Sequence, residues 1–239
     1  YTLNMVNDES PIKPQKLFLF SPAIGITRFA AFSGLHRVLS FIPYFKKIAW
    51  ESIAPEYDPF KYNSFPKIAG HQLYQLTRLT QKKIDELQNN GKLERLPPIQ
   101  TFSSVVDSTV RTPSLVTYLY DRLKPNGHEL ILFDVNRFSA LAPFVKDRHD
   151  TFLNRLKEPS NLPYTWTLVT NQTTDTLRVV AETRDAGSDA ITQEPLNLEW
   201  PRGIYSLSHV AVPFSPDDPL YGDREDLKKK GLFVLGMVE

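Results

Sequence analysis

Two segments of this chain carry residues that could handle a proton together. One is Pro98-Ile-Gln-Thr-Phe-Ser-Ser-Val-Val-Asp107-Ser-Thr-Val-Arg-Thr-Pro113, which reads as a buried strand that ends on a carboxylate and turns into a helix. The other is Ser206-Leu-Ser-His209-Val-Ala-Val-Pro-Phe-Ser-Pro-Asp-Asp-Pro-Leu-Tyr-Gly222, which sets a histidine in a short apolar stretch before a proline-rich loop. An aspartate beyond the carboxyl end of a strand can accept a hydrogen bond from an imidazole N–H and fix the ring in one tautomer. An imidazole held this way titrates near neutrality, so it can take a proton from a hydroxyl and return it to a leaving group. Each residue also has a plainer reading. Asp107 suits a turn or a helix cap, and His209 suits a partly buried, hydrogen-bonded ring.

The nucleophile such a pair would serve is not evident. The motif G-x-S-x-G, which presents a serine on a strained strand-to-helix turn, occurs nowhere in the 239 residues. Ser21 ends a strand, but Leu19 and Ala23 stand where that turn needs small residues, and the leucine is too bulky. Ser21 is read instead as part of a turn that walls a pocket. His36, His71, His128 and His149 have no triad-like setting and are read as structural or surface residues. Asp217-Asp218 lacks the spaced oxygen ligands of a calcium loop and reads as a turn with capping carboxylates.

Elements that would position the pair can be read along the chain. Residues 1–10 look like the end of a helix, and Lys16-Leu-Phe-Leu-Phe20 reads as a parallel strand buried on both faces, ending in the turn Ser21-Pro-Ala-Ile-Gly25. Residues 26–50 suggest two short helices broken near Pro43. Their Arg28, Arg37, Lys46 and Lys47 allow contact with a membrane surface, although packing over the main sheet is the simpler reading. The aromatic stretch 57–65 suits a small core slightly better than a substrate cleft. Leu73, Leu76, Leu79, Ile84 and Leu87 keep near-helical spacing over 71–89, and Asn90-Gly91 supplies a stop. A strand over 99–106, a helix opened by Thr112-Pro113 as cap and first residue, and a strand over 128–134 make a βαβ unit with parallel pairing. Residues 138–157 suggest a helix, 164–184 a hairpin with one wet face, and 185–195 a loop.

Composition sets the outer limits. Hydrophobic residues are 41% and charged residues 23%, which suits a globular chain. A net charge of +1 argues against a nucleic-acid footprint, and Lys228-Lys-Lys230 reads as a solvated turn. With no cysteine there are no disulfides, thiolate metal sites or cysteine nucleophiles. No apolar run approaches the about 18 residues that cross a bilayer, and the first residues show no secretion-signal pattern. Both ends read as cut from a longer polypeptide.

Taken together, the strand and turn Leu17–Gly25, the segment Glu56-Tyr-Asp-Pro-Phe-Lys-Tyr-Asn-Ser-Phe-Pro66, the strand ending at Asp107, the βαβ unit through Asp134 and the loop Ser208-His209-Val-Ala-Val-Pro213 resemble the C-terminal portion of a bacterial α/β-hydrolase of the serine esterase or lipase type. The resemblance covers roughly 14–135 and 200–222, and is weaker over 138–195. It implies an α/β fold with a mostly parallel sheet, formed by 1–25 and 96–239. It also implies a helical lid over 26–95 and an added β-hairpin. Asp107 would be the triad acid and His209 the triad base. The serine and the oxyanion donors would lie in a missing N-terminal part of the same protein, and Tyr1–Val6 would end the helix that follows the serine. The substrate would be a small ester or lipid-like molecule, with no cofactor. The missing serine motivates the contrary expectation, a non-catalytic binding module on a degenerate hydrolase scaffold.

Overall fold

The computed structural model describes residues 1–9, 11–12, 14–25, 50–52, 65–107, 111–138, 148–158 and 161–201. In chain order they form α1 (Thr2–Asn7), β1 (Leu17–Phe20), β2 (Trp50–Ser52), β3 (Phe65–Pro66), α2 (Lys67–Asn89), β4 (Ile99–Ser104), α3 (Thr112–Tyr118), β5 (Glu129–Phe133), α4 (Arg148–Lys157), β6 (Thr165–Asn171), β7 (Arg178–Arg184) and β8 (Ile191–Glu199). Short 3₁₀ turns lie at Leu93–Arg95 and Tyr120–Arg122. Six strands make one sheet in the order β1-β4-β5-β6-β7-β8, and β2 pairs with β3 separately. The pairings β1–β4, β4–β5 and β5–β6 are parallel, while β6–β7 and β7–β8 are antiparallel. The architecture is therefore α/β with a mostly parallel sheet.

Register assigns each side chain to a face. Leu130 aligns with Thr101 and Trp166, and Leu132 with Ser103 and Leu168. These side chains are all buried, together with Ile99. On this face they share one core with Val6 of α1, Ile84 and Leu87 of α2, Leu115 and Val116 of α3, and Phe152, Leu153 and Leu156 of α4. The described helices α1–α4 thus all contribute to one shared core. The opposite face carries Phe18, Phe20, Phe102, Ile131, Phe133 and Val169 and stays half-exposed or exposed. The expectation that β1 is buried on both faces is corrected here. Leu17 and Leu19 pack on the core, but Phe18 and Phe20 are 57% and 50% exposed. Phe20 stacks on Phe102 with ring centroids 5.0 Å apart.

Local chemistry explains most element ends. The chain leaves α2 through Gly91 at φ +64°, and Lys92 N–H returns to the Leu87 carbonyl at 2.8 Å, the closure that a left-handed glycine permits. Within α2 the buried stripe runs through Thr77, Ile84 and Leu87, whereas Leu76 and Leu79 face solvent. The expected helix forms, and of its spaced apolar residues Ile84 and Leu87 lie on the buried face. Thr77 does not cap or break the helix. It lies inward because its hydroxyl donates to the Ala23 carbonyl at 2.8 Å, and Gln81 donates to the Ile24 carbonyl at 2.7 Å. Thr112 is not the helix cap either, since Arg111 occupies that position with no side-chain capping bond. The Thr112 hydroxyl donates instead to the Ser104 carbonyl at 2.6 Å and so ties α3 to the end of β4.

The hairpin over 164–184 forms, and it extends the main sheet because β6 pairs with β5. Residues 191–199, expected in part as a loop, form the edge strand β8. Its Pro195 and almost wholly exposed polar side chains are tolerated there because, among the described residues, only one of its edges pairs. The expected helices within 26–49 and the aromatic stretch 57–64 lie outside the described residues. Among the described residues, no helix is long and apolar enough to cross a membrane.

Candidate active site

The carboxyl ends of β1, β4, β5 and β6 meet at one edge of the sheet, where ligands of open parallel sheets sit. Four strand exits supply polar groups to it. At the β1 exit, Ser21 adopts φ +42°, and its N–H donates to the Phe102 carbonyl at 2.9 Å. The Ser21 hydroxyl is buried and has no hydrogen-bond partner among the described residues. The turn behind it is pinned: Ile24 N–H donates to the Pro22 carbonyl at 2.7 Å, and Arg111 N–H donates to the Gly25 carbonyl at 2.9 Å. Gly25 lies so close to α3 that a Cβ there would come within 2.1 Å of the Ser114 Cβ. Only glycine permits this approach.

The β4 exit carries Asp107, which is 7% exposed. The turn leading to it is closed by Val105 N–H donating to the Phe133 carbonyl at 2.9 Å and Asp107 N–H donating to the Ser104 carbonyl at 3.4 Å. The Ser104 hydroxyl accepts from Val106 N–H at 3.3 Å, and the Ser103 and Thr112 hydroxyls lie 3.1 Å apart. The chain therefore seats Asp107 in a buried turn at the sheet edge, as the strand-end reading anticipated.

The β5 and β6 exits form a second polar cluster that sequence reasoning did not single out. Asp134 is 1% exposed. Its Oδ1 accepts from Val135 N–H at 2.8 Å and Arg137 Nη2 at 3.2 Å, and its Oδ2 accepts from Arg137 Nε at 2.5 Å and Thr170 Oγ1 at 2.7 Å. Asn171 accepts from Arg137 N–H at 2.7 Å and donates to Asn136 Oδ1 at 3.1 Å. An ionised carboxylate offers about four lone-pair positions. All four are occupied in Asp134, so it has none left with which to orient an imidazole. The only sequence signal was an aspartate at a strand end, which both positions share.

His209 lies outside the described residues, as do Asp217, Asp218 and Lys228–Lys230. The direction of the preceding strand is nonetheless defined. β8 runs antiparallel to β7 and so in the same sense as β6, and its Glu199 lies opposite Arg178, beside the Val179–Asn171 pair. Trp200 N–H donates to the Leu177 carbonyl at 2.8 Å, so the chain is delivered to the carboxyl edge at Trp200. His209 follows Pro201 by eight residues, about 26 Å of extended chain at about 3.3 Å each. From β8 to β4 is four strand steps, or about 19 Å.

The other histidines are placed as follows. His128 is buried beyond the amino end of β5, at the opposite edge, and its Nδ1 accepts from Ile99 N–H at 3.1 Å. Burial lowers its pKa, and a hydrogen bond to the Lys124 carbonyl partly opposes that shift. His71 lies inside α2, with its Nε2 3.0 Å from Gln75 Nε2. His36 lies outside the described residues. Among the described residues no cluster of three histidine, aspartate or glutamate side chains is arranged to hold a metal. No family model, no curated protein and no solved structure matches this chain.

Proposed function

We propose that this chain is the acid- and histidine-bearing part of an α/β serine hydrolase that cleaves small ester or lipid-like substrates. Asp107 is the triad acid and His209 the general base, with a serine upstream of Tyr1 as the nucleophile. The serine oxygen attacks the acyl carbon while His209 removes its proton. The tetrahedral intermediate collapses as His209 returns that proton to the leaving alcohol, and water repeats the cycle to release the acid. Asp107 holds the imidazole in the working tautomer and stabilises its charge.

The observation that carries this reading is the convergence on one sheet edge. Asp107 is buried there, and β8 returns the chain to that edge, ending at Glu199 ten residues before His209, within extended reach of the acid. A second reading has its own support. Ser21 lies at the same edge, with left-handed backbone and a buried hydroxyl that has no partner among the described residues, and this reading makes it the nucleophile within this chain.

A fluorophosphonate probe on the complete protein tests both. The proposal expects a labelled serine upstream of Tyr1, with labelling lost in His209→Ala and turnover of a short-chain aryl ester reduced about ten-thousand-fold in Asp107→Asn. Label on Ser21 establishes the second reading. No labelled serine in a folded protein refutes both and leaves a non-catalytic binding module.

A further inference from the structure

The buried hydroxyls at the β4 exit form a directed chain. Thr112 is 1% exposed, and Ser103 and Ser104 are wholly buried. A hydroxyl has one proton to donate. Thr112 Oγ1 donates to the Ser104 carbonyl at 2.6 Å, so in its 3.1 Å contact with the Ser103 hydroxyl it is the acceptor. The Ser104 carbonyl also accepts from Asp107 N–H at 3.4 Å. A carbonyl oxygen has two lone pairs. Thr112 takes one and the amide of the acid takes the other. The Ser104 hydroxyl accepts from Val106 N–H at 3.3 Å, so Ser104 organises the turn through both its side chain and its carbonyl.

Docking of α3 does not by itself account for this bond. Leu115 and Val116 already bury α3 in the shared core, and the Gly25 carbonyl holds Arg111 N–H at 2.9 Å. What the Thr112 bond adds is closure. It joins residues eight apart in the chain, with Asp107 between them. One end of that segment is fixed by Val105 N–H donating to the Phe133 carbonyl at 2.9 Å, and the other by the start of α3. A short segment closed at both ends has few conformations open to it, so the backbone that carries the acid is held by buried groups on either side.

We infer that Thr112 is a positioning residue for Asp107: its hydroxyl fixes the Ser104 carbonyl, and through it the backbone that presents the acid at the sheet edge. The consequence for catalysis rests on the proposed hydrolase reading, in which Asp107 orients His209, whereas the closure of the turn does not. A displacement of about 1 Å in a catalytic constellation can cost about a hundredfold in rate. Thr112 acts on the acid and not on the substrate, so losing its donor lowers kcat and leaves KM nearly unchanged.

The test compares the complete wild-type protein with Thr112→Val, Thr112→Ser and Thr112→Cys. Turnover of a short-chain aryl ester is measured beside the NMR signals of the Asp107 amide and carboxyl carbon. Valine keeps the shape and removes the donor. It should lower kcat about a hundredfold, leave KM within about twofold and shift both Asp107 signals. Serine keeps the donor, so kcat should stay within about threefold of wild type and both signals should keep their positions. Cysteine is a weak donor and the milder change where valine prevents folding, and it should lower kcat about tenfold. Wild-type kcat and unmoved Asp107 signals in Thr112→Val overturn the inference, as does a loss that serine shares. Failure of both the valine and the cysteine variants to fold overturns it too, because Thr112 is then a structural tie. A folded wild type with no fluorophosphonate-labelled serine and no turnover refutes the hydrolase reading instead, and the Asp107 signals alone then decide for or against Thr112.

Discussion

Asp107 and Asp134 stand at the same sheet edge, both buried, and Asp134 sits in a saturated hydrogen-bond cluster. Every acceptor position of Asp134 is taken by Val135, Arg137 and Thr170, so its contribution is to stability. Asp134→Ala strands a partly buried guanidinium and a buried hydroxyl and should cost about 3 kcal/mol. Urea denaturation checks this, and a loss below about 0.5 kcal/mol, the size of an ordinary surface change, would mean the cluster holds nothing. His128 supplies a pH-dependent counterpart. Burial holds its folded pKa below that of the unfolded chain. Its contribution is therefore fully present above about pH 6.5 and fades as pH falls through the depressed folded value. His128→Asn keeps an acceptor for Ile99 N–H but cannot titrate. The denaturation midpoint of the wild type should fall more steeply than that of the variant between about pH 7 and about pH 5, and parallel curves would contradict the assignment. The Asp134 cluster was not singled out in the sequence, because it depends on Thr170 of a distant strand, which no local pattern could bring to it.

At the scale of elements, the β1 exit and α3 are fitted to one another at a single point. Gly25→Ala drives a methyl into the Ser114 Cβ, 2.1 Å away, and should destabilise by about 2 kcal/mol. Adding Ser114→Gly removes the obstructing atom and should recover most of that loss, a coupling that a double-mutant cycle measures. Additive losses would show that the contact does not govern the turn. The strands β1, β4, β5 and β6 were legible because continuous or alternating apolar residues leave few other arrangements. β8 was not, since Pro195 and a polar sequence resemble a loop until an unpaired edge is available to accommodate them. The helix α2 was legible, but of its spaced apolar residues only Ile84 and Leu87 are deeply buried. The carbonyls of Ala23 and Ile24 need donors, so Thr77 and Gln81 turn toward the β1 exit while Leu76 and Leu79 remain in solvent. Hydrophobic spacing cannot show that demand.

At the scale of the whole molecule, the α/β architecture and parallel pairing were readable, but the unequal faces were not. The helices share one core on one side, while Phe18 and Phe20 stand exposed on the other. An apolar run such as Leu17–Phe20 looks the same whether one face or both are covered. The same sheet order gives the functional proposal its geometry. Three parallel pairings gather the strand exits, and the antiparallel pair β7–β8 returns the chain to them. The central claim is that residues 107 and 209 meet at that edge. A crystal structure of the complete protein measures it directly. The account predicts an Asp107 carboxylate oxygen about 2.8 Å from a His209 ring nitrogen, with the other nitrogen facing a serine hydroxyl. His209 on the far side of the sheet, or beyond hydrogen-bond reach of Asp107 in an otherwise intact sheet, would contradict it.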